Sequence, residues 1–221
     1  VLSGTAVLLA VVLVIVWFAT QRSIDDFLPI KIVDLPQQNM TTVDSGGYLG
    51  QPDMVRTRSG KFITIYPQGH GYGSLIMQTS QDGKTWVNSS TPSSWANSQE
   101  VPTLYTLDFV DGTQWLILIS GKPYWTAAGL RADGFQYSIS RDDGVTWSEF
   151  KTVHSPMDCI VAMSSLTQLK SEGEFVDKWL GTFHTHEFVN YGTVLSFDAQ
   201  GNAIWSVSYT HLRAHETVLD L

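Results

Sequence analysis

The stretch Ser140-Arg141-Asp142-Asp143-Gly144-Val145-Thr146-Trp147 decides the fold, because it returns twice in altered form, at Thr79 to Trp86 and at Ser196 to Trp205. Its residue types are those of a tight hairpin. A short carboxylate such as Asp142 accepts backbone N–H bonds across the turn, a glycine such as Gly144 takes positive φ, and the Trp147 ring returns to cover apolar surface. Gly83 and Gly144 lie 61 residues apart and Gly144 and Gly201 lie 57 apart, the period of a unit used three times, as in propellers and arrays. Read position by position, the first copy has Gln81 where the second has Asp142, and the third carries one extra residue before Trp205. One copy reads as intact and two as degenerate.

Working outward, each repeat is preceded by the same order of short strand-like runs punctuated by Gly, Pro and Asp. The first unit reads as strands over Asp53 to Thr57, Phe62 to Tyr66 and Leu75 to Ser80, with a loop from Pro67 to Gly73. The second reads as Val101 to Phe109, Trp115 to Ser120 and Phe135 to Ser140, with a loop from Gly121 to Gly134. The third reads as Ile160 to Leu169, Trp179 to Phe183 and Thr193 to Phe197, with a loop from His184 to Gly192. Phe62 to Tyr66, Trp115 to Ser120 and Trp179 to Phe183 are then equivalent strands of three successive antiparallel sheets, and the residues after each Trp supply a fourth, outer strand.

The repeated S-x-D-x-G-x-T-W pattern resembles the aspartate box of the sialidase (neuraminidase) superfamily, over about Tyr48 to Trp205. The resemblance implies an all-β, six-bladed β-propeller of sialidase type, of which about three blades are present, and an exo-α-sialidase-like glycoside hydrolase. It implies no cofactor, and sialylated or related glycans as partners. Such enzymes hold the substrate carboxylate with three arginines, use an aspartic acid as general acid/base and attack with a tyrosine activated by a glutamate. The chain departs from that set. Leu49-Gly50-Gln51-Pro52 stands where an F-R-I-P pattern is expected, so Gly50 replaces the first arginine, and Gly69-His70-Gly71-Tyr72-Gly73-Ser74 lacks the acid of the corresponding loop. The boxes are turns on the rim of such propellers, away from the central site.

Composition bounds the alternatives. With 221 residues, 43% hydrophobic and 12% aromatic, the chain suffices for a sizeable core. A net charge of -8 without a basic cluster gives no footprint for nucleic acid. The single Cys159 forms no internal disulfide, and no Cys/His spacing suggests structural zinc. Residues 1–20, with an apolar run from Ala6 to Ala19, read as a hydrophobic helix that is either a membrane anchor or a secretory signal, which places the protein outside the cell or at its surface. Residues 21–47 read as a stalk, 48–206 as the partial propeller and 207–221 as a non-native tail resembling translated adapter sequence; His211 and His215 are set aside with it. Both ends read as incomplete.

In the expected topology the starts of the inner strands and the loops between second and third strands gather at one mouth, and the boxes lie at the other end. An acid stands at each inner-strand start: Asp53, Glu100 and Asp158. Asp53, His70 and Glu100 are the candidate catalytic residues, an acid for proton transfer and an imidazole for a sugar hydroxyl. Tyr124, Trp125, Arg131, His184 and Tyr191 are the candidate substrate-binding residues, the aromatics by stacking on a sugar face. No metal site is expected, because Glu187 is poorly placed to complete a set with His184 and His186. Each residue also has a plain structural alternative: an acid at a strand start satisfies backbone N–H groups, and a loop aromatic covers a sheet edge. Three classes remain open from the residues alone: a divergent glycosidase, a glycan-binding module and a scaffold for protein interaction.

Overall fold

The computed structural model describes residues 41–69, 73–97, 100–127, 129–153, 159–185 and 189–208. The chain divides into two compact units, Val1–Thr41 and Thr42–Leu221. The apolar run Ala6 to Ala19, His70, Asp158 and the residues beyond 208 lie outside the described residues, among which no helix is long and apolar enough to cross a membrane.

The second unit is all-β. Among its described residues twelve strands form three four-stranded antiparallel sheets, each a simple meander in chain order, an arrangement consistent with a β-propeller-like fold. Sheet 1 comprises β1 (Asp53–Arg56), β2 (Phe62–Pro67), β3 (Leu75–Ser80) and β4 (Val87–Asn88). Sheet 2 comprises β5 (Glu100–Asp108), β6 (Gln114–Thr126), β7 (Gly129–Ser140) and β8 (Lys151–Val153). Sheet 3 comprises β9 (Cys159–Ser171), β10 (Glu174–Thr185), β11 (Asn190–Phe197) and β12 (Ala203–Ser208). The three segments expected to be equivalent lie in β2, β6 and β10, the second strand of each sheet.

The core lies between sheets, and the pleat explains how one strand serves two interfaces. Side chains alternate across a strand. Leu116 and Leu118 of β6 pack with Ile63, Ile65, Leu75 and Met77 of sheet 1, while Ile117 and Ile119 pack with Met163, Trp179, Phe183 and Leu195 of sheet 3. The run Leu116 to Ile119 is therefore apolar without alternation, as a strand buried on both faces requires. Trp95, on a 3₁₀ turn over Ser93–Asn97, is fully buried against Trp147 and Phe150 between sheets 1 and 2. Glu149 holds that turn by accepting from the Ser94 N–H at 2.8 Å and the Ser93 hydroxyl at 3.2 Å.

The box turns corrected one reading. In the second copy, Asp142 Oδ1 accepts from the Thr146 N–H at 2.9 Å and the Ser140 hydroxyl at 2.8 Å, and the Gly144 N–H donates to Ser140 Oγ at 2.8 Å. The first copy makes the same set one residue shorter. Asp82, not the position of Gln81, accepts from Thr85 N–H at 2.7 Å and Ser80 Oγ at 3.0 Å, so this box is intact and the alignment, rather than the chemistry, was degenerate. In the third, Asp198 accepts from the Asn202 N–H at 2.7 Å, and the Asn202 side-chain amide replaces the threonine hydroxyl at 3.0 Å.

These bonds hold the turn carboxyls below their ordinary range. For Asp82 the Thr85 and Lys84 N–H groups dominate, for Asp198 the Asn202 N–H does, and at Asp142 burial pushes the other way but is outweighed by Thr146 and Ser140. Their contribution to stability is thus complete above the unfolded-state value of about 3.9 and is withdrawn as pH falls below it towards the depressed folded values. Replacing Asp142 by Ala is expected to cost about 1–2 kcal/mol, held to the lower part of the range for a charged acceptor and below because the carboxylate is exposed to solvent. Urea unfolding of the variant beside the parent checks this, and an unchanged midpoint would contradict it.

Two expected loops are strands. Gly121 to Gly134 is the end of a long hairpin, with Tyr124 opposite Arg131, Trp125 opposite Leu130 and Thr126 opposite Gly129. The β-prone Tyr124-Trp125-Thr126 run carries the strand onward, Gly129 with φ 107° turns the chain, and the register shift between Gly121 and Pro123 accommodates a residue without an N–H. Likewise β10 continues to Thr185 and β11 starts at Asn190, so both ends of the expected loop from His184 to Gly192 are strand. Val207 and Ser208, assigned above to the tail, pair with Thr193 and Gly192.

Candidate functional site

Register fixes which residues share an end. Asp53 is opposite Ile65 and Arg56 opposite Phe62, while Phe62 is opposite Ser80, so the start of β1 lies at the β2-to-β3 end and the box at the other. The same holds in sheet 2, where Glu100 faces Gly121, and in sheet 3, where Thr185 faces Cys159. The sheets are held in step by bonds between inner strands: the Leu104 N–H donates to Asp53 Oδ2 at 2.7 Å, and the Tyr105 hydroxyl donates to the Met163 carbonyl at 2.6 Å. At the box end Arg58 reaches Asp108 at 2.6 Å and the Val110 N–H reaches Asp177 at 2.8 Å. Asp53, Glu100, the β6–β7 hairpin and His184 therefore belong to one end, which we call the mouth, and Asp82, Asp142 and Asp198 to the opposite one.

The candidates differ in what they do there. Asp53 is occupied: Oδ1 accepts from the Met54 N–H at 2.8 Å and Oδ2 from Leu104 N–H, so the carboxylate ties sheet 1 to sheet 2. Glu100 begins β5 at the root of the long hairpin. Beyond that pair the hairpin runs on without β5 beside it, and at ~3.4 Å per residue five residues extend it roughly 17 Å. Tyr124 on it is half exposed, and Arg131 is its register partner. His184 is partly buried, with Nδ1 at 2.9 Å from the Thr185 carbonyl, and its register partners are Asn190 and Val161. Tyr191 stacks on Phe183 with ring centroids 5.8 Å apart and packs against the core, so its ring covers a sheet rather than facing solvent. His70 falls outside the described residues, but the loop that carries it is pinned where Gln68 N–H meets the Ser74 carbonyl at 2.9 Å.

Gly50, where the resemblance leads one to expect an arginine, is sterically confined. The Gly50 N–H donates to the Pro67 carbonyl at 2.8 Å, and a Cβ at that position would lie 2.3 Å from the Gly69 carbonyl oxygen and 2.6 Å from Pro67 Cγ. The backbone of the β2-to-β3 connection fills the space an arginine side chain would leave through.

Two features of the inner strands had no sequence signal. Met163 is fully buried with φ 49°, rare for a non-glycine residue, and Gly181 on the neighbouring strand β10 leaves room for its sulfur, since a Cβ there would lie 2.3 Å from Sδ. The register shift next to it brings Ser164 and Ser165 each within 2.9 Å of the Thr182 hydroxyl. The second feature is Tyr66, whose hydroxyl donates to Asp44 at 2.7 Å and accepts from Gln78 at 2.8 Å. Burial, then Asp44, pushes this phenol up to about 12, so it stays neutral. Burial likewise pushes the Cys159 thiol up to about 12, which leaves it unreactive. Among the described residues no group of three His, Cys, Asp or Glu side chains could hold a metal ion.

No family model matches the sequence, and no curated protein matches it. Among solved structures, a protein of unknown function from Dyadobacter fermentans is similar at 14% identity with a TM-score of 0.45, covering 76% of this chain and 56% of that one. A fucose lectin from Kordia zhangzhouensis, solved in complex with methyl-fucoside, is similar at 10% identity with a TM-score of 0.42, covering 73% of this chain and 99% of that one. The chain thus spans little more than half the length of the first of these structures.

Proposed function

We propose that this chain is three blades of a six-bladed propeller of sialidase type, that it binds sialylated or related glycans at the mouth, and that it acts there as an exo-α-sialidase-like glycoside hydrolase. The observation that carries the reading is the set of three box turns, each closing the third strand of its sheet with the same carboxylate-centred bonds. Exposed Tyr124 offers a ring for the apolar face of a sugar, and Glu100 at the root of the same hairpin is the acid we assign to proton transfer. His70 is assigned to a sugar hydroxyl, and Trp125, Arg131 and His184 to the walls of the site, with Tyr191 behind them as packing. Asp53 acts by fixing the distance between β1 and β5. The N-terminal apolar run delivers the domain to the cell surface or beyond, through the membrane or tethered to it.

A second reading, glycan binding without turnover, is favoured by one observation: the space for the first arginine is closed at Gly50. Turnover of a fluorogenic α-sialoside and binding to an array of sialylated and neutral glycans, measured on the whole protein, separate the two. Release of sialic acid supports hydrolysis, retention of glycans without release supports the second reading, and neither would overturn both in favour of a protein-interaction scaffold.

A further inference from the structure

A cleft of about 370 Å³ opens between sheets 2 and 3 at the box end, within the size range of small-molecule sites. Strand alternation builds its floor: Tyr137 and Ile139 of β7 share a face with Arg141 just beyond it, and Lys151 on the edge strand β8 is the register partner of Tyr137. Trp147 forms another wall and is braced by Trp95, 5.3 Å away between ring centroids. Box 3 closes the far side with two small residues, Gly201 and Ala203.

Arg141 is held in place rather than neutralised. One terminal nitrogen donates to the Gly201 carbonyl at 2.5 Å and the guanidinium lies 4.3 Å from the Trp115 ring centroid. A Cβ on residue 201 would come 2.9 Å from that nitrogen, so the glycine is what admits the arginine. No carboxylate pairs with Arg141 or Lys151 among the described residues.

The acceptors around the cleft are largely consumed and the donors are not. Asp142 accepts from Ser140 and Thr146, the Thr146 hydroxyl donates to Asp142, and the Ser148 carbonyl accepts from Ser138 at 2.6 Å. What remains is the Lys151 ammonium, the unused guanidinium N–H groups and the proton of the Ser148 hydroxyl, whose oxygen already accepts from Ile139 N–H. Two cations against one internally bonded carboxylate make a local positive site on a chain of net charge -8. Donors and cations beside Tyr137 and Trp147 suit a ring that carries an anion.

We infer that this cleft is a binding subsite for a terminal monosaccharide bearing a carboxylate or sulfate. It is separate from the mouth, at the opposite end of the sheets, and does not depend on any reaction there. Its test is titration of the full chain with N-acetylneuraminic acid, glucuronic acid, galactose 6-sulfate and unmodified galactose, followed by calorimetry or ligand-observed NMR. At least one anionic sugar should bind at least ~10-fold more tightly than galactose, and which one binds separates the carboxylate from the sulfate source. Lys151→Glu and Lys151→Gln should each weaken that binding at least ~10-fold, about 1.4 kcal/mol, with unchanged melting, while Lys151→Arg retains it. Equal binding of galactose, no binding of any anionic sugar at millimolar concentration, or indifference to both Lys151 substitutions would overturn the inference.

Discussion

Gly144→Ala is expected to destabilise the protein by roughly 2–5 kcal/mol, far more than its single added methyl suggests. Two costs combine. The residue has φ 74°, a region in which an L side chain costs about 1–2 kcal/mol. The new Cβ would also lie 2.3 Å from Ile63 Cδ1 and 3.3 Å from Leu116 Cδ1; Ile63 is a fully buried core residue of sheet 1, and overpacking of this kind adds about 1–3 kcal/mol. The box of sheet 2 thus presses on sheet 1, and Asp143 reinforces the contact through the Ser59 hydroxyl at 2.8 Å and Lys61 at 3.1 Å. Gly173→Ala is the control. It has φ 89° but nothing within 4 Å of its Cβ, so it bears the conformational cost alone. Thermal unfolding should separate the two variants by several degrees, given about 2–4 °C per kcal/mol at this size. Coincident melting curves would mean that the box turn does not seat against Ile63.

Much of this architecture was legible because its signals are local. Turn residues at a fixed period announced three units, and apolar runs bounded by Gly and Pro placed β2, β6 and β10. What escaped the reading depended on partners distant in sequence or on a change of register. Asp82 was passed over because its box is one residue shorter than the second, and only the bonds to Ser80 and Thr85 reveal the equivalence. The Gly121 to Gly134 segment has the composition of a loop, yet each arm supplies the other's hydrogen bonds. Trp95 sits among serines in a connection, with nothing nearby to mark it as a core residue. Asp53 carried both readings in the sequence, and the structure gives it the structural one, through a bond to Leu104 that no spacing could have indicated. The cleft at Lys151 is the converse case: Tyr137, Ile139 and Arg141 alternate visibly, but the wall opposite comes from the next repeat.

For the hydrolase proposed above, Glu100→Gln in the whole protein is expected to lower turnover of a fluorogenic sialoside at least ~100-fold, the scale on which a general acid/base contributes and equivalent to about 2.7 kcal/mol of barrier. The assignment follows from what the other inner-strand acids are doing. Asp53 already accepts from the Met54 and Leu104 N–H groups, one on each oxygen, and so ties sheet 1 to sheet 2. Glu100 begins β5 opposite Gly121, where the long hairpin leaves the sheet and brings Tyr124 and Arg131 to the same end. Glutamine preserves the size of the side chain and removes only its capacity to exchange a proton, so the folded fraction should not change. Asp53→Asn should show the opposite pattern, because a neutral amide is a weaker acceptor for two N–H groups: reduced stability, with turnover per folded molecule largely kept. Asp142→Ala, at the far end, should also keep turnover. Full activity of a folded Glu100→Gln protein would remove Glu100 from the chemistry and leave it with the strand-start role that Asp53 fills in sheet 1. A rise in KM with kcat unchanged would place Glu100 in substrate binding instead, because removing an interaction made equally in ground and transition states raises KM and leaves kcat alone.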